Sequence, residues 1–145
     1  MFEILIAITL MVVVGFITIP NLRGKRGTTE LDAAVRQIAA LLREAQSAAL
    51  AGDSESNWGV HFENNPDGPF YALFKSSYGP GNIRTRGTLP NMVSYGSISP
   101  GNSEDIVFEQ VTGRPLSVPV PDISLALTGG GTATISVSAS GAVSF

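Results

Sequence analysis

Apolar residues fall into three regimes along the chain, and each predicts a different element. From Phe2 to Leu22 they run almost unbroken, with Glu3 as the one charge. From Leu31 to Ala48 they recur every third or fourth position, the spacing of one helix face. From Trp58 onward they alternate in short runs separated by Gly, Pro, Asn and Ser, the mark of short strands and turns.

The first regime has the length of a membrane span. The nineteen uncharged residues from Ile4 to Leu22 would extend ~28 Å as a helix, close to the ~30 Å hydrocarbon core of a bilayer. A secretory signal peptide fits poorly, because no basic residue precedes the run, the run is too long, and no A-x-A pattern follows it. An ordinary membrane anchor explains the length but not Glu3, since a carboxylate at that depth is costly unless it is paired. Arg23, Lys25 and Arg26 follow the run, and by the positive-inside rule they would hold the next domain in the cytoplasm, unless a basic leader precedes Met1. Pro20 lacks a backbone donor and disfavours helix at Ile19, while Gly24 and Gly27 weaken it further. A non-helical break is therefore expected between Gly15 and Gly27, near Pro20–Gly27, the alternative being a proline kink in a continuous helix.

The second regime reads as an amphipathic helix over residues 28–52. Thr28 or Thr29 would cap it, with Glu30 and Asp32 in a first turn that favours negative charge. Leu31, Ala34, Val35, Ile38, Leu41, Leu42, Ala45 and Ala48 form its apolar stripe, Arg36, Gln37, Arg43, Glu44 and Gln46 its polar face, and Gly52 its stop. Residues 53–145 then read as a β-rich domain, with strands at Trp58–Phe62, Tyr71–Phe74, Met92–Tyr95, Ile106–Phe108, Ile123–Leu127, Thr134–Val137 and Ala142–Phe145. A long loop is expected from Ser76 to Arg86. One helix with several antiparallel strands makes the domain α+β.

Composition narrows the chemistry. The 145 residues carry a net charge of −3, no cysteine and one histidine, which removes thiolate metal sites and cysteine nucleophiles and leaves little acid-base machinery. No cofactor and no enzymatic activity are expected. His61 points away from Val60 and Phe62 on its strand and reads as a surface or hydrogen-bonded structural histidine, since no second ligand stands at metal spacing. Asp53, Glu55 and Asp67 lack the ordered twelve-residue loop of a calcium site. Arg84 and Arg86, with Lys75 and Tyr78, make the one basic-aromatic cluster of the soluble part. They are weak nucleic-acid candidates, more simply a solvated face or a subunit contact.

The segment Phe2-Glu3-Ile4-Leu5-Ile6-Ala7-Ile8, continuing through Val12-Val13-Val14-Gly15 to Ile19-Pro20-Asn21-Leu22, closely resembles the N-terminus of type IV pilins and type II secretion pseudopilins. In that family a prepilin peptidase removes a basic leader, the new first residue is an N-methylated aromatic, a glutamate stands fifth, and a proline follows seventeen residues later. The spacing of Glu3 and Pro20 matches. Glu3 stands two positions early, so the register implies two mature residues and a leader ahead of Met1. The resemblance implies a pilin fold, with the apolar half of a long helix protruding and its amphipathic half packed on an antiparallel sheet.

The resemblance also implies assembly, and it is in an assembled filament that the non-helical break between Gly15 and Gly27 is expected. Phe2, Glu3, Gly15 and Pro20 would serve it, Ile4, Leu5, Ile8, Val12 and Phe16 would line a filament core, and Glu3 would meet a neighbour's N-terminal amine. Partners would be further copies of the chain, inner-membrane lipid before assembly, the prepilin peptidase and the pilus or secretion machinery. The subunit would begin as a single-pass membrane protein and end in an extracellular or periplasmic filament. Leu89-Pro90, Ile106, Phe108, Gly113, Ile135, Val137, Gly141 and Val143 further resemble the GspH/FimT-type branch. Some FimT-type minor pilins bind DNA through a basic C-terminal region, but the tail from Ser140 to Phe145 has no basic residue, which argues against DNA as a partner. Four readings follow: a pilus subunit used for adhesion or motility, a pseudopilin, a DNA-uptake minor pilin, and an unrelated anchored enzyme that Glu3 argues against.

Overall fold

The structure, a computed structural model, describes residues 2–4, 6, 8, 9, 11, 21–99 and 101–145. Leu5, Val12, Gly15, Phe16 and Pro20 lie outside the described residues, and with them the part of the expected break from Gly15 to Pro20. Residues 2–4, 6, 8, 9 and 11 are helical. Among the described residues no helix is long and apolar enough to cross a membrane.

Helix α1 spans Asn21–Leu50 without interruption. This corrects one expectation, because Thr28 and Thr29 lie inside the helix instead of capping it, and it leaves residues 21–27 helical in the single chain. Glycine costs only about 1 kcal/mol in a helix interior, and at Gly27 packing gives a reason to keep it. A Cβ there would stand 2.9 Å from Leu127 Cδ2, so the bare backbone lets α1 settle against the strand that carries Leu127.

The stripe of α1 is buried at Leu31, Ala34, Val35, Ile38, Leu41, Leu42 and Ala45. Ala39 and Ala49 are also fully buried, while Ala48 is only partly covered. The buried face is wider than the predicted stripe because α1 packs against strands of two sheets. The helix closes at its C-terminus as glycine chemistry requires: Gly52 takes a left-handed φ of 65°, and its N–H donates to Ala49 O at 3.0 Å.

Among the described residues eight strands follow: β1 (Trp58–Glu63), β2 (Phe70–Lys75), β3 (Ile83–Thr88), β4 (Val93–Tyr95), β5 (Ser103–Phe108), β6 (Ile123–Leu127), β7 (Thr132–Val137) and β8 (Val143–Ser144). They form two four-stranded sheets, ordered β3-β2-β1-β5 and β4-β6-β7-β8, with antiparallel pairing throughout. The protein is therefore α+β, one long helix packed on antiparallel sheets. Strand β3 overlaps the loop expected from Ser76 to Arg86, because Ile83-Arg84-Thr85-Arg86-Gly87-Thr88 shows no apolar alternation. It is an edge strand with its middle exposed, and an edge needs no second apolar face.

One core joins the layers. Trp58, Val60, Phe62, Tyr71, Leu73, Ile106 and Phe108 from the first sheet meet Ile123, Leu125 and Ile135 from the second and the α1 stripe. Tyr95 pins the sheets together. It is buried, its hydroxyl donates to Phe70 O at 3.0 Å, and its ring meets Phe62 edge-on. Burial, with Tyr71 as a lesser contributor, pushes the Tyr95 phenol far above its usual range.

Candidate functional site

The two described helical segments treat apolar surface in opposite ways. Phe2, Ile4, Ile6, Ile8 and Met11 are between 56% and 84% exposed, on residues that are helical. Glu3 is exposed between Phe2 and Ile4, and among the described residues no cation pairs with it. Among the described residues the arrangement is an exposed apolar helical surface carrying one carboxylate, the kind of surface that marks a contact site. Of the sequence-derived site residues, Phe2, Glu3, Ile4 and Ile8 fall on it.

The three basic candidates do not form one patch. Register shifts between Leu73 and Phe74, which pair with Thr85 and Ile83 and leave Arg84 opposite neither. Such a bulge re-aims a side chain. The Arg84 guanidinium lies 5.3 Å from the Trp58 ring and 3.2 Å from Asp53 Oδ2. With Lys75, Asn82 and Asp53 it lines an open depression of about 360 Å³. Arg86 sits elsewhere, 3.8 Å over the Phe70 ring. One of the two arginines is thus paired with a carboxylate, and the other covers an aromatic ring.

Residues of the first sheet that face away from α1 build a second, smaller buried layer. Ala72 opposes His61 on one side and Asp105 opposes it on the other, so that Arg86, Ala72, His61 and Asp105 form one row across four strands. Phe74 lies over Gly59, where a Cβ would stand 2.8 Å from its ring. Phe70, Ala72, Phe74 and His61 are all buried. Their roof is Tyr78, from the loop between β2 and β3. Its ring stacks on His61 at 3.5 Å between centroids and 8° between planes, and meets Phe74 edge-on.

His61 is therefore the hydrogen-bonded structural histidine of the two predicted alternatives. Its Nδ1 lies 2.5 Å from Asp105 Oδ1 and its Nε2 lies 3.3 Å from Glu63 Oε2. Burial alone would lower the imidazole pKa. The hydrogen bonds and negative charges of Asp105 and Glu63 outweigh it, so the value is raised above the ordinary 6.5. Among the described residues no group of three or more His, Asp or Glu is placed to hold a metal ion. Asp105 was not foreseen as a partner. It is 44 residues from His61 in sequence, and only the β1–β5 register, which joins non-consecutive strands, brings them together.

Comparisons with protein-family models, with curated proteins and with solved structures find no match to this chain.

Proposed function

We propose that this chain is a structural subunit of a type IV pilus-like filament with a pilin fold, held in a membrane by its N-terminal helix and then assembled through it. One observation carries the reading. The helical residues Phe2, Ile4, Ile6, Ile8 and Met11 turn their side chains outward around an exposed Glu3, while the α+β domain completes its own core without them. Lipid tails or further copies of the same helix are the covers that suit such a surface. The spacing of Glu3 and Pro20 supports the same reading, since both landmarks keep the pilin register.

In that assembly Glu3 sets the position of each subunit. Packing helices side by side buries its carboxylate, which is tolerable only against a cation, and the N-terminal amine of a neighbouring subunit has the right chemistry. Breaking a buried pair by removing one partner costs about 3–5 kcal/mol, enough to decide whether a subunit enters the filament in register. The exposed isoleucines supply association without direction, and the carboxylate supplies the register.

The test is Glu3→Ala, followed by membrane fractionation and electron microscopy of sheared surface material. The variant should remain in the membrane fraction while filaments are lost or sharply reduced. Filaments of normal number and length from Glu3→Ala would overturn the reading.

A further inference from the structure

The layer around His61 carries an inference that does not depend on filament assembly. The imidazole is 4% exposed, and each of its nitrogens faces a carboxylate oxygen. Glu63 is held in place for this contact: its Oε1 accepts from Asn65 Nδ2 at 3.1 Å, and Asn65 Oδ1 in turn accepts from the Asp67 N–H. Only the doubly protonated imidazolium donates to both carboxylates. A neutral ring keeps one N–H and turns a lone pair towards the other carboxylate.

Two carboxylates and an aromatic ring favour the cationic form of His61, against burial and one arginine. Glu63 comes from β1 itself and Asp105 from β5. Strand β2 contributes Phe70, Ala72 and Phe74, which are uncharged, and the Tyr78 ring lies flat on the imidazole as a cation–π platform. Arg86 from β3 opposes the charge, but it sits over Phe70, whose ring is itself 5.9 Å from His61. Lys75, Arg84 and Asp53 gather at Trp58 instead, a residue of the core next to α1.

The loop that carries Tyr78 has few other ties. Ser76 N–H donates to Asn57 O and Lys75 N–H to Asn82 O at its neck, and the remaining bonds run within the loop. Its grip on the outer face of the sheet is the Tyr78 ring.

We infer that His61 is a proton-operated clasp for the loop Ser76–Asn82, closed when the imidazole is charged and loosened when it is neutral. In the closed form the imidazolium holds Asp105, Glu63 and Tyr78 together over Phe70, Ala72 and Phe74. Loss of the proton removes the cation beneath the Tyr78 ring and sets one carboxylate against a lone pair. The roof then loosens from the apolar patch it covers.

The chain has a single histidine, so its imidazole NMR signal is unique and can be titrated in the full chain in detergent micelles. The expected midpoint lies above 6.5, the Tyr78 ring signals move with that midpoint, and exchange of the Lys75 and Asn82 amides, corrected for intrinsic pH dependence, rises across it. Asp105→Asn keeps the imidazole and should lower the midpoint. His61→Gln should leave loop exchange independent of pH. A wild-type midpoint at or below 6.5, Tyr78 signals that do not follow it, or the same pH-dependent exchange in His61→Gln would each overturn the clasp.

Discussion

Isoleucine behaves in opposite ways in the two described helical segments. Ile4, Ile6 and Ile8 are more than half exposed, whereas Ile38 in α1 has no exposure at all. Both segments are helical and apolar, so neither hydrophobicity nor local conformation makes the difference. What differs is the partner. Around Ile38 the chain provides its own cover in two sheets, and around Ile8 the described residues provide none. Apolar surface that the described residues leave open is what the proposed filament subunit would use to meet lipid or its neighbours.

Substitutions in the two segments should separate these roles. Ile38→Ala should cost the domain about 2–5 kcal/mol, because it leaves a cavity where two sheets meet the helix, and denaturant unfolding would measure it. Tyr95→Phe removes the hydroxyl that donates to Phe70 O and leaves a buried carbonyl without that donor, at about 1–3 kcal/mol. Ile8→Ala should change domain unfolding by less than about 0.5 kcal/mol, as surface substitutions do, yet weaken filaments in the assay used for Glu3→Ala. A large loss of domain stability from Ile8→Ala would erase the contrast. Arg84→Ala should also cost little, about 0–1 kcal/mol, since its ion pair with Asp53 is half exposed on both sides.

Domain stability should also depend on pH in a definite direction. The folded-state pKa of His61 is raised above 6.5, so the stabilisation it brings is fully present below about pH 6.5 and is lost as pH rises through the higher folded value. Thermal unfolding followed from about pH 6 to 8 should show a decline that His61→Gln removes.

Where the sequence could be read, a local period was at work. The three- and four-residue spacing from Leu31 to Ala45 marks the buried face of α1, and the alternation around Val60, Phe62 and His61 shows which residues turn inward. Reading failed where the cause lay elsewhere in the chain. Nothing near Gly27 announces Leu127, so a packing glycine looked like a helix breaker. Nothing near Arg84 announces an edge strand, because its partner supplies the apolar contacts. His61 was legible as a structural histidine, but not its carboxylate at Asp105, which a crossover brings alongside. Glu3 stood out because a lone charge in an apolar run needs no fold to be conspicuous.

The seating of α1 has a mechanical consequence. The helix continues unbroken for 30 residues, about 45 Å at the helical rise, and it contacts β1, β2 and β5 of one sheet and β4, β6, β7 and β8 of the other. Tension applied along its axis therefore acts in shear over many side chains at once and is divided between two sheets. A helix resting on one sheet edge would be peeled away contact by contact. Here extraction requires the buried stripe from Leu31 to Ala49 to slip together, so the sheets resist being drawn off α1.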